Sequence, residues 1–324
     1  MKRIKHKTGG IALSKKWFVL AGIVCLSLSV GWTGGGFAND DDITPEQVIA
    51  EHLKTLGSPA ALAQLKTMAF VGTTSVDFIQ GMYGSMSGTS MVVSAGEKLG
   101  IVLKYGDYNN YPGEYFAFDG NEVTVGHINP GQRSPLADFV FRFNGMMKEG
   151  LLGGVLSGGW PLRHLEAKEP KLKYSQTTID DRPLHEIEYR PKKGLRDMKV
   201  KLYFDLETYR HVRTEYRVRI RDDMSAAPGG AGTRSGRFQN PDAVDVAGVD
   251  GFAILSQGLP DSIYVLIEKF DDFKKVGAIE LPHSYSIDYS LEGQGRTFVG
   301  KWTMNAQQWA FNRDYDDKIF VAQK

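Results

Sequence analysis

From Met68 onward, apolar and polar side chains alternate along most of the chain with a period of two. The stretch "VKLYFDLETYRHVRTEYRVRI", residues 200–220, keeps this alternation, breaks once at "DLET" and then resumes it. Because successive side chains of a strand point to opposite faces, the pattern predicts two antiparallel strands joined by a turn. One face of the pair is apolar and the other is charged. The apolar face must pack against the protein's own core, a ligand, or both.

The same period of two predicts strands in many other parts of the chain. Turn-forming stretches such as "NNYPG" and "DGN" separate some of them, so antiparallel hairpins are expected. The predicted strands cover residues 68–78, 99–105, 115–118, 123–128, 171–178, 184–190, 199–205, 210–221, 263–273, 279–291 and 296–306.

Three stretches have the start signals and apolar spacing of helices. The first begins at Pro45 with Thr44 as its N-cap, and the second begins at Pro59 after Ser58. The third is predicted over residues 135–151, in "SPLADFVFRFNGMMKEGLL", where apolar side chains recur at helical intervals. Glycines at positions 145, 150, 153 and 154 are expected to let this third helix move as a lid.

Many strands and few helices predict a mainly β (α+β) fold. A sheet this broad tends to curl, so we expect an incomplete antiparallel β-barrel, a strongly curved sheet closed by a few helices. Helices at the mouth of such a sheet would leave an apolar cavity for a hydrophobic ligand, although any barrel also needs an apolar core of its own. The expected lining is Phe70, Phe78, Phe139, Phe143, Met146, Met147, Tyr285, Tyr289, Phe298 and Trp302.

The N-terminus has the layout of a secretory signal. Basic residues 1–16 precede the apolar stretch "WFVLAGIVCLSLSVGW", and small residues at positions 36 and 38 fit a cleavage site. We therefore expect a cleaved signal peptide over 1–38 and a soluble periplasmic domain over 39–324, with an uncleaved membrane anchor as the alternative. A Gly-, Ala- and Ser-rich stretch, residues 222–261, is expected to be a flexible insertion in that single domain.

Cleavage would change the charge and the cysteine content. Of 39 basic and 38 acidic residues, 33 basic and 38 acidic ones would remain, and the one cysteine would be lost. A mildly acidic exported protein does not favour nucleic-acid binding or electrostatic docking to anionic lipid. The expected mature protein is a monomer without a disulfide.

Motifs for catalysis or metal binding are incomplete in this sequence. The stretch "HEIEY" lacks the second histidine of a zinc-protease motif, since Tyr189 takes its place, and the histidines have no metal-ligand spacing. His283 falls on an apolar strand face and is interpreted as a core histidine. We therefore expect no enzyme activity, metal or cofactor, although a hydrolase site assembled from distant residues stays an alternative.

The order of several stretches resembles the outer-membrane lipoprotein-sorting superfamily, the LolA/LolB-like carriers, and especially its large exported members. The matching stretches span most of residues 44–306 and include "TPEQVIAEHLKTLGS", "LKTMAFVGTTSVDF", "EGLLGGVLSGGWPL", "KVKLYFDLETYRHVRTEY" and "DDFKKVGAIELP". The resemblance implies a helix-closed half-barrel whose apolar cavity shields acyl chains, without enzyme activity or cofactor. The chain differs from the small carriers in its greater length, its insertion and its lack of a lipid anchor.

Two functions follow as expectations. The first is a periplasmic, non-enzymatic carrier or binding protein of the cell envelope, which transports a lipid or a lipoprotein acyl chain. The second is an envelope sensor or scaffold that binds a protein partner through its loops, chiefly residues 222–261.

Overall fold

The computed structural model describes residues 43–106, 110–195, 197–220, 261–293 and 296–322. The signal segment predicted for residues 1–38 lies outside the described residues. So does the insertion predicted for 222–261, apart from its last residue. Within the described ranges, every helix is too short or too polar to cross a bilayer.

Within the described residues, twelve strands form a single antiparallel sheet in the order β5-β4-β3-β2-β1-β12-β11-β10-β9-β8-β7-β6. The sheet is not closed, because its edge strands β5 and β6 pair with one neighbour each, which confirms the predicted incomplete barrel. The strands are β1 Thr67–Gln80, β2 Gly84–Ala95, β3 Lys98–Lys104, β4 Gly113–Phe118, β5 Val123–Val125, β6 Lys171–Ile179, β7 Arg182–Arg190, β8 Lys199–Asp205, β9 His211–Ile220, β10 Ser262–Val276, β11 Ile279–Gly293 and β12 Arg296–Phe311.

The "DLET" break is the turn between β8 and β9, as predicted. The side chain of Asp205 accepts hydrogen bonds from the backbone N–H of Thr208 at 2.8 Å and from its hydroxyl at 2.7 Å. An aspartate side chain that accepts hydrogen bonds from a residue a few positions later in the chain stabilises a turn. Asp205 is therefore a turn residue, as its position in the pattern indicates.

The two N-terminal helices start where the sequence predicts. Helix α1, Pro45–Leu56, has a complete capping box between Thr44 and Gln47. Helix α2, Pro59–Gln64, is capped by the hydroxyl of Ser58.

The predicted single helix over 135–151 is wrong, because the structure divides it. Helix α3 covers Pro135–Arg142 and helix α4 covers Gly145–Lys148. The backbone leaves the helical region at Phe143, where ψ is 40°. A Cβ at Gly145 would collide with the carbonyl oxygen of Gly194, so close backbone packing fixes the start of α4.

The remaining helical elements are single turns. They are a 3-10 helix over Gly154–Leu156, a 3-10 helix over Pro161–His164, helix α5 over Leu165–Lys168, and a 3-10 helix over Asp317–Phe320. We call residues 134–160 the strap, because this segment runs across the apolar face of the sheet.

Contacts of the strap show that the sheet is strongly curved. Leu99 of β3 lies beside Gly153, whereas His211 of β9 lies beside the next residue, Gly154. The two strands are six positions apart in the sheet, which would separate them by about 29 Å if the sheet were flat. Adjacent Cα atoms are only about 3.8 Å apart, so the sheet must bend around the strap.

The convex face of strands β7 to β9 carries charged side chains that reach water. Lys201 pairs with Glu186 at 2.8 Å, and Arg217 pairs with Glu215 at 3.1 Å. Such exposed pairs contribute little to stability. The charged row of β7 to β9 is therefore a solvated sheet face, as its alternation indicates.

The core fills the concave face, and α3 provides a matched pair of side chains to test this arrangement. Phe139 is 1% exposed and contacts Tyr289 with a ring separation of 5.3 Å. Phe141 is 37% exposed and has the guanidinium of Arg133 3.8 Å from its ring centre. The two phenylalanines thus belong to the same helix but to opposite environments.

We expect Phe139→Ala to lower the free energy of unfolding by about 3–5 kcal/mol, because it removes a buried ring and leaves a cavity. The control Phe141→Ala should cost about 1 kcal/mol, since it removes an exposed ring and one cation–π contact. Urea denaturation of both variants measures the difference. Equal losses would show that α3 does not pack on the sheet as described.

Candidate functional site

The residues predicted to line a cavity lie together on the concave face. All ten belong to or pack against one apolar cluster, in which Phe143 is partly buried and the other nine are buried. Ring contacts connect several of them: Phe139 with Tyr289 at 5.3 Å, Phe78 with Trp302 at 6.0 Å, and Tyr289 with Phe298 at 6.0 Å. In this closed arrangement they pack against one another, so their contact with a ligand stays a prediction.

A buried glutamate, which the sequence analysis did not identify, lies within this apolar face. Glu268 of β10 is 0% exposed. Its Oε1 atom accepts from the hydroxyl of Tyr285 at 2.6 Å and from the backbone N–H of Gly153 at 2.7 Å, and its Oε2 atom accepts from the hydroxyl of Tyr216 at 2.7 Å. Glu268 thus connects three neighbouring strands to the strap.

A second buried glutamate holds the other end of the strap. The Oε1 atom of Glu114, on β4, accepts from the hydroxyl of Ser134 at 2.5 Å and from that of Tyr111 at 2.6 Å. Ser134 also caps α3 by accepting from the N–H of Ala137 at 2.9 Å. The indole N–H of Trp302 donates to the hydroxyl of Tyr111 at 2.6 Å, which extends the network to β12.

Burial changes the protonation of both carboxyl groups. Removal from water disfavours the charged form and raises the pKa of Glu268 from 4.5 to about 7, although the bonds from Tyr285 and Tyr216 act in the opposite direction. The pKa of Glu114 is likewise raised to about 7 by burial, against the bonds from Ser134 and Tyr111. The two ties that hold the strap therefore depend on groups that titrate near neutral pH.

Two buried histidines contact each other, with ring centres 6.0 Å apart, and one of them, His211, lies beside the strap. The Nδ1 atom of His52, on α1, lies 3.0 Å from the carbonyl oxygen of Tyr209, and burial lowers the pKa of this ring to about 4. Burial, together with repulsion from His52, also lowers the pKa of His211 well below its ordinary value. The ring of Trp160, at the end of the strap, lies 4.9 Å from that of His211. Both histidine rings are therefore uncharged near neutral pH and pack as neutral rings.

His283 differs in part from its prediction. It is half-buried rather than fully within the core, and its Nε2 atom accepts from the indole N–H of Trp309 at 3.1 Å. Its Nδ1 atom lies 3.2 Å from the carbonyl oxygen of Leu281. The ring is thus held by protein groups, as expected of a structural histidine.

The described part of the chain contains no cluster of three or more His, Cys, Asp or Glu side chains that could hold a metal ion. An open surface cavity of about 490 Å³ lies elsewhere, between the end of α1 and the β10–β11 turn. It is lined by Lys54, Thr55, Leu56, Gly57, Ser58, Pro59, Lys275, Gly277, Ala278, Ile279 and Glu280. None of the ten predicted lining residues belongs to this cavity.

Solved structures similar to this chain include a LolA superfamily protein from Nitrosomonas europaea, with 11% identity and a TM-score of 0.39, over 86% of this chain and 98% of that chain. A DUF1329 family protein from Desulfovibrio piger has 8% identity and a TM-score of 0.40, over 84% and 95%. A chain of the Pseudomonas aeruginosa MucA/MucB complex has 10% identity and a TM-score of 0.19, over 80% and 94%.

No protein-family model and no curated protein match the chain. The superfamily that the sequence resembles is nevertheless found among the similar structures. Because the TM-scores are below 0.5, these likenesses carry no conclusion about what this chain binds.

The raised pKa of Glu268 predicts a pH dependence of stability. The folded value, about 7, exceeds the ordinary 4.5, so this group's contribution is complete below pH 4.5 and is lost as pH rises through 7. Between those values the carboxyl lowers the free energy of unfolding by up to about 1.4 kcal/mol per pH unit. Glu268→Gln keeps the shape of the side chain but removes this slope.

Urea denaturation at several pH values between 5 and 7.5 measures the difference between Glu268→Gln and the parent protein. His52 and His211, whose pKa values are lowered by burial, contribute with the opposite sign, and Glu114, whose pKa is raised to about 7, contributes with the same sign; all three are common to both proteins. Glu292→Gln, at an exposed position on β11, is the matched control and should keep the parent's pH dependence. The same pH dependence in Glu268→Gln would contradict the buried-carboxyl account.

Proposed function

We propose that this protein is an exported, non-enzymatic carrier that binds the acyl chain of a lipid or lipoprotein in the concave face of its sheet. One observation carries the proposal. A continuous aromatic and aliphatic face extends across the sheet from β3 through β1, β12 and β11 to β10. It is covered by a strap of short helical turns rather than by a second sheet or long helices.

The cover is attached in a way that suits exchange with a ligand. The apolar side chains of the strap include Phe139, Met146 and Met147. Apolar contacts are non-directional, and methionine adapts to differently shaped neighbours. Polar ties fix the strap at individual points, which include the bonds from Ser134 to Glu114 and from Gly153 to Glu268. A chain that takes the place of the strap would restore the apolar contacts of the sheet, whereas these ties and the strap's own apolar contacts with the sheet would break.

The energy of acyl-chain burial is large compared with that of the polar ties of the strap. Each buried methylene contributes about 0.8 kcal/mol, so a 16-carbon chain would contribute on the order of 10 kcal/mol. A single hydrogen bond contributes about 1 kcal/mol net, or about 1.5–3 kcal/mol when one partner is charged. The gain therefore exceeds the loss of a few polar ties.

The location of this carrier would be the periplasm. Support comes from the signal-like segment over residues 1–38 and from the acidic charge of the remaining chain. The second function, an envelope scaffold, depends on residues 222–261 and rests on the sequence alone.

We expect the protein purified from its host without detergent to carry a lipid, visible as added mass in native mass spectrometry and recoverable by extraction. Palmitic acid brominated along its chain should also quench Trp302, which is fully buried in the concave face, because bromine quenches an indole at contact distance. The variant Trp302→Phe should lose much of this quenching. The comparison variant Trp309→Phe removes a partly buried indole at the border of the same cluster, where it contacts Phe70 and His283, and should lose less of the quenching than Trp302→Phe.

A protein that has no added mass and is not quenched by the brominated acid would reject the carrier function. Deletion of residues 222–261 separates the two functions. A carrier should still bind the acid after this deletion, whereas a scaffold should lose a co-purifying protein partner.

A further inference from the structure

The tip of the β1–β2 hairpin exposes large apolar side chains. We call residues 79–83, "IQGMY", the apolar tip. Tyr83 is 85% exposed and Ile79 is 57% exposed, which makes them the two most exposed large apolar side chains of the described residues. Single exposed apolar residues are common, but here two of them share one narrow turn.

The backbone of the tip has a defined geometry. The pairing of β1 with β12 shifts register between Phe78 and Gln80, so Ile79 occupies a bulge, a feature that redirects a side chain. Gly81 has φ 82° and lies so close to the carbonyl oxygen of Thr297 that a Cβ would collide with it. The tip is therefore supported by β12 and presents Ile79 and Tyr83 outward.

The tip is also free of charge. No Asp, Glu, Lys or Arg occurs between Asp77 and Glu97. Asp77, the nearest acid in the sequence, accepts a hydrogen bond from the hydroxyl of Ser85 at 2.6 Å. Insertion of the tip into an apolar medium would thus bury no charged side chain of residues 78–96.

The apolar tip is continuous with the concave face. Met82 packs against the main core cluster, although it is only partly buried. Its neighbour Phe78 contacts Tyr111 at 5.1 Å and Trp302 at 6.0 Å, inside that cluster. The core cluster therefore extends to Met82, which directly precedes Tyr83 in the sequence.

We propose that the apolar tip docks this protein on a lipid bilayer, with Ile79 and Tyr83 inserted at the level of the headgroups. Tyrosine suits that position, because its ring is apolar and its hydroxyl can remain in water. Docking is apolar rather than electrostatic, since residues 78–96 contain no basic side chain. A narrow turn also offers far less than the roughly 800 Å² per partner that a stable protein interface needs.

The docking site deepens the proposed function, because it would place the end of the concave face next to the membrane that supplies or receives the acyl chain. Docking itself does not require a bound acyl chain. Vesicle binding and binding of brominated palmitic acid are therefore separate measurements, and either can fail without the other.

The test is flotation of the exported protein, purified without its signal segment (residues 1–38), with phosphatidylcholine vesicles, alone or with added phosphatidylglycerol, at low and at high salt. We expect binding to both vesicle types, without a gain from the anionic lipid and without loss at high salt. Ile79→Asp and Tyr83→Asp should each weaken binding by at least about tenfold, because each replaces a burying apolar side chain by a charge. Val71→Asp is the matched control, since Val71 is a 45% exposed residue on the same strand but away from the tip.

A second measurement guards against loss of folding in the aspartate variants. The variant Tyr83→Cys of the exported protein, from which Cys25 is removed with the signal segment, can carry an environment-sensitive fluorophore that should brighten when vesicles are added. Unchanged fluorescence, equal flotation of Tyr83→Asp and the parent protein, or binding only to anionic vesicles would each overturn the proposal. A dimer in solution that Tyr83→Asp dissociates would also overturn it, because the tip would then be covered by a second copy.

Discussion

The apolar concave face of the sheet must be kept from water, and this need explains most of the structure. Strands β1, β3, β9, β10, β11 and β12 all direct large side chains to the same side. A flat sheet would leave these side chains exposed unless a second layer of equal width covered them. Curvature instead brings distant strands to a common centre, where one short strap can contact β3 and β9 through adjacent residues. The convex face needs less cover: the C-terminal 3-10 helix, with Phe320, packs on Ala69 and Val93, and the charged side chains of β7 to β9 are partly solvated.

The strap cannot satisfy this need by apolar contact alone, because its short turns leave backbone groups that need partners. The structure supplies some of these partners from the sheet, with Glu268 accepting from the N–H of Gly153 and Ser94 accepting from that of Gly158. A carboxyl buried among apolar rings is costly unless it is protonated or fully bonded. Glu114 and Glu268 meet this requirement through tyrosine and serine hydroxyls, so the same bonds that hold the strap also make burial of the two acids tolerable.

Much of the sheet could be predicted from the sequence, because apolar residues that alternate with polar ones at a period of two fit a half-buried strand and do not fit a helix. The turn at Asp205 and the caps of α1 and α2 can also be predicted from the sequence, since each depends on local residue types. Strand β2 was missed because "GSMSGTS" is rich in glycine and serine, and its pairing comes from β1 and β3 on either side. The division of the third helix follows from packing of Gly145 against Gly194, which are far apart in the sequence. Glu114 and Glu268 share the apolar face of their strands, since Glu268 alternates with Leu266 and Phe270, and Glu114 has the same parity as Phe116. The alternation therefore signals their burial, but the tyrosine and serine partners come from distant parts of the chain and could not be predicted from it.

The central claim is that the strap is a separable cover over an apolar binding face. Hydrogen–deuterium exchange of the strap amides, with and without palmitic acid, tests it most directly. The account predicts that amides of residues 145–158 exchange faster than those of β11 and β12 in the free protein, since local opening costs less than global unfolding. It also predicts that palmitic acid changes the exchange of the strap while the central strands stay unchanged. Equal protection of the strap and the central strands, unaffected by the acid, would contradict the account.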